Sequence, residues 1–179
     1  MARTLEPQGI VETKTAPKRD LKFTCMNCLK DELGRLEQAN TQGELVTTGN
    51  WSAGQILSHC AIFMRCSFDG FPSRAPALLR VIARLMFKKK AVSGAPMPSG
   101  IQLPKQASFM LPAPEVPFEQ GMGELREQVA RLDAGEQFSH PSPVLGPLTH
   151  EEWVKLHLAH CMMHLGFMDY PGAPGSNLG

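Results

Sequence analysis

Apolar residues recur at intervals of three and four through several separate stretches of this chain, and that period predicts helices. The first runs from Thr24 to about Ala39, with Cys25, Cys28, Leu29, Leu33 and Leu36 on one face and Thr24 as N-cap. The second opens with "SAGQ" (Ser52 to Gln55), a capping box in which the serine hydroxyl and the Gln55 side chain satisfy each other's backbone amides. Trp51, just before it, is placed to pack on the first turn. Its apolar stripe is Ile56, Leu57, Cys60, Phe63 and Met64, with His59 at the edge of that face, and Gly70 and Pro72 stop it. A third helix is expected from about Ala75 to Lys89, with Leu78, Leu79, Ile82, Leu85 and Met86 in helical period. A fourth runs from about Pro117 to Asp133, with Phe118, Met122, Leu125, Val129 and Leu132 facing inward. The last begins at Thr149, where "THEE" is a second capping box, and ends near Gly166. No alternating strand of useful length and no repeat is visible. The pattern predicts an all-α fold: four main helices and an extra one, packed as a bundle.

Residues 91–114 break the period. Pro96, Pro98, Pro104, Pro112 and Pro114 exclude a helix there. Met97, Ile101, Leu103, Phe109, Met110 and Leu111 are too apolar for a free linker, so the segment is expected to wrap the domain and roof a pocket. A second proline-rich loop, "HPSPVLGPL", precedes the last helix. Residues 1–22 lack periodicity and are read as an extension, loose or laid over the surface, residues 23–168 as the helical domain and 169–179 as a tail.

The chain has 179 residues and a net charge of +1, which gives no electrostatic case for a nucleic-acid partner. No apolar run approaches the ~20 residues of a membrane helix. No apolar h-region follows the basic N-terminal residues, so no secretory signal is expected and the cytoplasm is the default location. Five cysteines, an odd number, read as reduced thiols. Cys25 and Cys28 form "CMNC"; with no second pair for zinc and no βαβ setting for redox chemistry, they read as two small buried side chains one turn apart. The lysines after Phe87 read as a solvated helix end that suits the dipole.

The last helix then poses a chemical question. "WVKLHLAHCMMHLG" carries His157, His160 and His164 in an otherwise apolar run. His160 and His164 lie ~40° apart around the helix and one turn apart along it, the geometry that lets two imidazoles share one metal. His157 lies ~10 Å from His164 along the axis, so one ion does not take all three, although 157 with 160 is also permitted. A third ligand must come from another helix, and His59 is the candidate on a buried face. His140 falls in a proline-rich loop, and His150, within the capping box, is expected to face water. Three imidazoles from two helices suit Zn²⁺, Ni²⁺ or Fe²⁺ and leave coordination positions open, as catalytic sites do. Cys60 and Cys161 point ~100° away and read as packing residues. Asp69, Glu151 and Glu152 are the carboxylates available as a base, with Glu152 already engaged by the cap. The bland alternative is a non-catalytic binding or stress-response module whose histidines are buried and hydrogen-bonded without metal.

Four segments, "GNWSAGQILSHCA", "MPSGIQLP", "HPSPVLGPLT" and "EEWVKLHLAHCMMHLGF", together resemble the DinB/YfiT-like superfamily over roughly residues 20–168, and more closely one of its bacterial branches of unknown function. The resemblance implies a four-helix bundle of up-down-down-up topology, often a homodimer. It implies a divalent metal held by His59, His160 and His164, which chooses 160 with 164 and leaves His157 as packing or support. Members with known activity include metal-dependent transferases that use a low-molecular-weight thiol, and related isomerases and hydrolases, all acting on small molecules.

Overall fold

The computed structural model describes residues 11–95, 97–100 and 105–176, so Ile101, Leu103, Pro96 and Pro104 of the wrapping loop lie outside the described residues. The elements in chain order are α1 (Met26–Thr41), β1 (Val46–Thr47), α2 (Ala53–Asp69), α3 (Ala77–Ala91), a 3-10 helix (Lys105–Met110), α4 (Phe118–Asp133), α5 (His150–Leu165) and β2 (Met168–Asp169). The protein is all-α. Its two short strands pair antiparallel, Val46 opposite Asp169 and Thr47 opposite Met168. No described helix is long and apolar enough to cross a membrane.

Both capping boxes form as read. Ser52 Oγ accepts from Gln55 N and Gln55 Oε1 from Ser52 N, while Thr149 and Glu152 do the same at α5. These reciprocal bonds fix where each helix starts, and with it the rotation of every residue downstream. Helix α1 differs. Its N-cap is Cys25, one residue later than Thr24, and no side chain caps it.

Helix α2 sits at the centre of the packing, against α4 on one side and α5 on the other, and α1 also touches α4 and α5. The α2–α4 crossing is close because two glycines meet there. A Cβ on Gly121 would strike the carbonyl of Gly54, and one on Gly54 would strike the carbonyls of Val116 and Pro117. Gln55 Nε2, held by the cap, donates to the carbonyls of Ala113 (3.0 Å) and Pro114 (2.9 Å), which anchors the end of the wrapping loop on α2. The core they enclose is built from Leu29, Leu33 and Leu36 of α1, Ile56, Leu57 and Met64 of α2, Leu125 of α4, and Trp153, Ala159 and Leu165 of α5.

The chain on either side of the helices is also packed. Arg19 and Leu21 are buried, as are Asp169, Tyr170 and Ala173. Arg19 N donates to Gly166 O (2.8 Å), and its guanidinium meets Glu32, on the inner face of α1, at 2.5 Å. Spacing puts Glu32 on the apolar stripe of α1, three residues after Leu29 and four before Leu36, but nothing in that pattern names its partner, which lies 13 residues away in an aperiodic segment.

Two expectations are corrected here. The 91–114 segment is not wholly without helix: Lys105–Met110 forms a 3-10 helix between prolines. Helix α3 does not bury its apolar face; none of its residues is buried, and Leu78 and Leu85 are 72% and 82% exposed. The physical reason is its basic stripe. Arg80, Arg84 and Lys88 are spaced by four and share one side. Arg84 donates to the carbonyls of Leu145 (3.0 Å) and Pro147 (2.7 Å), and Lys88 pairs with Glu152 at 2.6 Å. These bonds turn the polar side of α3 toward the body and the leucines outward.

Two outcomes test this frame in urea titrations. Glu32→Ala should cost about 3–5 kcal/mol, because it leaves the Arg19 guanidinium buried without its close partner and with Asp169, at 4.0 Å, as the remaining carboxylate beside it, whereas joint replacement of Arg19 and Glu32 by Met and Leu should cost markedly less. Gly121→Ala should destabilise by about 1–3 kcal/mol through overpacking. Gly123→Ala, on the same helix with nothing within 4 Å of its new Cβ, should instead stabilise by roughly 0.5–1 kcal/mol. If Gly121 and Gly123 respond alike, the close crossing is wrong.

Candidate metal centre

Helix α2 contributes His59 and α5 contributes His160 and His164, and the three imidazoles meet. Their ring centroids form a nearly equilateral triangle: 4.9 Å between His59 and His160, 4.4 Å between His59 and His164, and 4.5 Å between His160 and His164. One nitrogen from each lies within 4.8 Å of the others. His59 and His160 are 3% and 6% exposed, while His164 is half-buried, so the cluster has one open side.

Hydrogen bonding sets the direction of the lone pairs. His59 Nδ1 lies 2.7 Å from the carbonyl of Met110. A carbonyl only accepts, so Nδ1 carries the proton and Nε2 presents its lone pair. That Nε2 is 3.2 Å from His160 Nε2. Two nitrogens each about 2.0–2.1 Å from a tetrahedral ion are separated by about 3.3–3.4 Å, so this pair already has the spacing of two ligands. The carbonyl behind His59 is the outer partner that orients a metal-binding imidazole. It is supplied by the 3-10 helix, which therefore holds the His59 ring in place.

The fit is less complete elsewhere. With its Nε2 lone pair aimed at the common point, His160 would carry its proton on Nδ1, which is buried and has no partner among the described residues. That cost, about 1–3 kcal/mol for an unmade buried hydrogen bond, has to be exceeded by the bonds to the ion. His164 stacks on Trp51, with ring centroids 5.6 Å apart and planes at 15°. Trp51 reaches beyond the first turn of α2, its ring 4.8 Å from that of His59.

All three imidazoles are held below the ordinary histidine pKa. Burial is the largest cause in each, and at His160 and His164 the neighbouring imidazoles add to it, since protonating one raises the cost of protonating the next. They are neutral at pH 7, the state in which imidazole ligates. Three neutral nitrogen donors suit Zn²⁺, Ni²⁺ or Fe²⁺ and leave positions open for water or substrate.

His157 stands outside the cluster. Ser67 Oγ donates to Phe63 O (3.1 Å), so it accepts from His157 Nε2 (3.0 Å), and the imidazole is packed by Phe63, Phe138 and Trp153. Burial pushes its pKa down to about 3. His150 does not face water as expected: its Nδ1 accepts from Phe138 N (3.2 Å) and its ring stacks on Phe138. The carboxylates read as available bases are engaged or outside. Asp69 is bound by Arg131 at 2.6 Å, Glu152 serves its cap and Lys88, and Glu151 is exposed. Cys60 and Cys161 are buried beside one another as packing thiols. The contributor that sequence reasoning missed is Met110, which acts through its backbone carbonyl and leaves no side-chain signal.

Comparison with known proteins adds one match. Residues 15–170 fit a family model described as a protein of unknown function (DUF1569). No curated protein and no solved structure matches the chain.

The buried imidazoles give stability a defined pH dependence. At His157 the unfolded chain binds a proton near pH 6.5 and the folded one only near pH 3, so the unfolded state takes up protons first. Stability present above pH 6.5 is lost progressively as pH falls, with a slope of up to about 1.4 kcal/mol per pH unit for each such group. His157→Phe should flatten that slope between pH 6 and 4 in chemical denaturation. An unchanged slope would show that His157 is protonated in the folded protein.

Proposed function

The chain belongs to the DUF1569 family of proteins of unknown function, and within it we propose a divalent-metal-dependent enzyme in which His59, His160 and His164 hold the ion. One observation carries this reading: imidazoles from two separate helices face a common point, with the His59 lone pair directed there by the Met110 carbonyl. The resemblance to DinB/YfiT-like proteins supports the same three residues and a four-helix up-down-down-up topology.

A bound ion would supply Lewis acidity there, lowering the pKa of a water or of a low-molecular-weight thiol toward neutrality, in the manner of a thiol S-transferase or a hydrolase. The chain's own part is positional. Met110 O holds the His59 ring, Trp51 limits the rotation of His164, and burial keeps the imidazoles unprotonated. The open side at His164, beside Trp51, is where a small-molecule substrate would approach. On the grounds of charge and apolar-run length, the enzyme would work in the cytoplasm with no nucleic acid or membrane as partner; on the resemblance it would be a homodimer.

A second reading has its own support. The His59–His160 contact at 3.2 Å is also an ordinary hydrogen bond, so these two imidazoles can pair without an ion, as in a non-catalytic binding or stress-response module.

Metal analysis of protein purified without a histidine tag separates the two. About one divalent ion per chain is expected, lost in His160→Ala and in His164→Ala. The melting temperature of the chelator-treated protein should rise on adding Zn²⁺ or Ni²⁺, because an ion that prefers the folded state stabilises it by mass action. The absence of both the ion and the specific rise, with His160→Ala behaving as wild type, would sink the enzyme reading and leave the module.

A further inference from the structure

The first turn of α1 carries two thiols that the histidine cluster does not use. Cys25 and Cys28 were expected to be a buried packing pair, and the structure contradicts this: Cys25 is exposed and Cys28 half-buried. Cys25 occupies the N-cap and Cys28 the third helical position, so both sulfurs sit at the positive end of a 16-residue helix with no acidic residue in its first turn. Their Sγ atoms are 3.3 Å apart. Thr24 Oγ1 lies 3.6 Å from Cys28 Sγ, and hydrogen bonds from Thr24 and Cys25 draw the Cys28 thiol down to about 7. The other three cysteines are buried, and burial pushes Cys66 up.

A cleft of about 430 Å³ opens beside Cys28, bordered by Asp20, Lys22, Phe23, Asp31 and Arg35. Side chains of both signs line it, which suits a small zwitterionic peptide better than an apolar molecule.

We propose that Cys25 and Cys28 form a redox-active dithiol that closes to an intramolecular disulfide on reaction with small peptide disulfides entering this cleft, independently of the histidine cluster. The Cys28 thiolate attacks one sulfur of the disulfide RSSR, expelling RS⁻ and forming a mixed disulfide. Cys25, already within a short side-chain rotation, loses its proton to solvent and attacks Cys28 Sγ, expelling the second RS⁻. The thiolates take up the two protons released. The sum is two protein thiols plus RSSR giving one protein disulfide and two RSH, a two-electron exchange that needs no other reactant.

The test uses oxidised glutathione and the full chain. After exposure, free thiols are blocked with iodoacetamide under unfolding conditions and intact masses are read. Wild type should lose two of its five alkylations and carry no adduct. Cys25→Ser should stop at a single glutathione adduct on Cys28, and the dithiothreitol-treated wild type should regain all five. His160→Ala should close as wild type does. A wild type that keeps five free thiols, or that holds a stable adduct without closing, overturns the proposal. Closure that fails in a folded His160→Ala variant overturns its independence from the histidines.

Discussion

An imidazole taken out of water has to be neutral, and each of its nitrogens then needs a partner or goes without. That constraint organises the α2–α5 face. His59 gives its proton to Met110 O, His157 gives its own to Ser67 Oγ, and the remaining lone pair of His59 is left pointing at His160. The burial that depresses their pKa values also keeps His59, His160 and His164 in the neutral form, the form in which an imidazole can ligate. A protonated cluster would repel itself in a medium that screens poorly; a neutral one offers lone pairs, and those of His59 and His160 stand at ligand spacing.

Geometry of that kind needs a frame that does not drift. Two devices provide it. The capping boxes fix the first residue of α2 and of α5, which sets the side each histidine occupies. The Gly54–Gly121 crossing holds α4 close against α2, so that Gln55 can reach the carbonyls of residues 113 and 114 and the preceding 3-10 helix can place Met110 O behind His59. On the far side, Arg19 and Glu32 bury a charge pair that ties the N-terminal segment to α1. Neither the glycines nor the ion pair touches the histidines, yet both bear on the helices that carry or cover them.

Periodicity fails as a guide to burial in two instructive places. In α3 the leucines repeat as a core face should, but the carbonyls of residues 145 and 147 and the Glu152 carboxylate claim the opposite, basic side. In α1 the cysteines share the leucine stripe, but they fall in the first turn, where the helix end emerges into solvent. A stripe reports which residues share a side; what that side meets depends on segments distant in sequence.

The local codes in this chain were sufficient for the helices and the two capping boxes, because those features depend on residues three or four apart; for the histidines, spacing left His157 with His160 open beside His160 with His164, and the family resemblance made the choice, with His59 as the third ligand. Only the tertiary structure decided that the three imidazoles share a centre, that a backbone carbonyl orients one of them, that Glu32 is buried against Arg19, and that α3 turns its leucines outward. Each of these is a contact between segments separated by 13 to more than 100 residues, and the partner in such a contact leaves no trace in the spacing of the residues it meets.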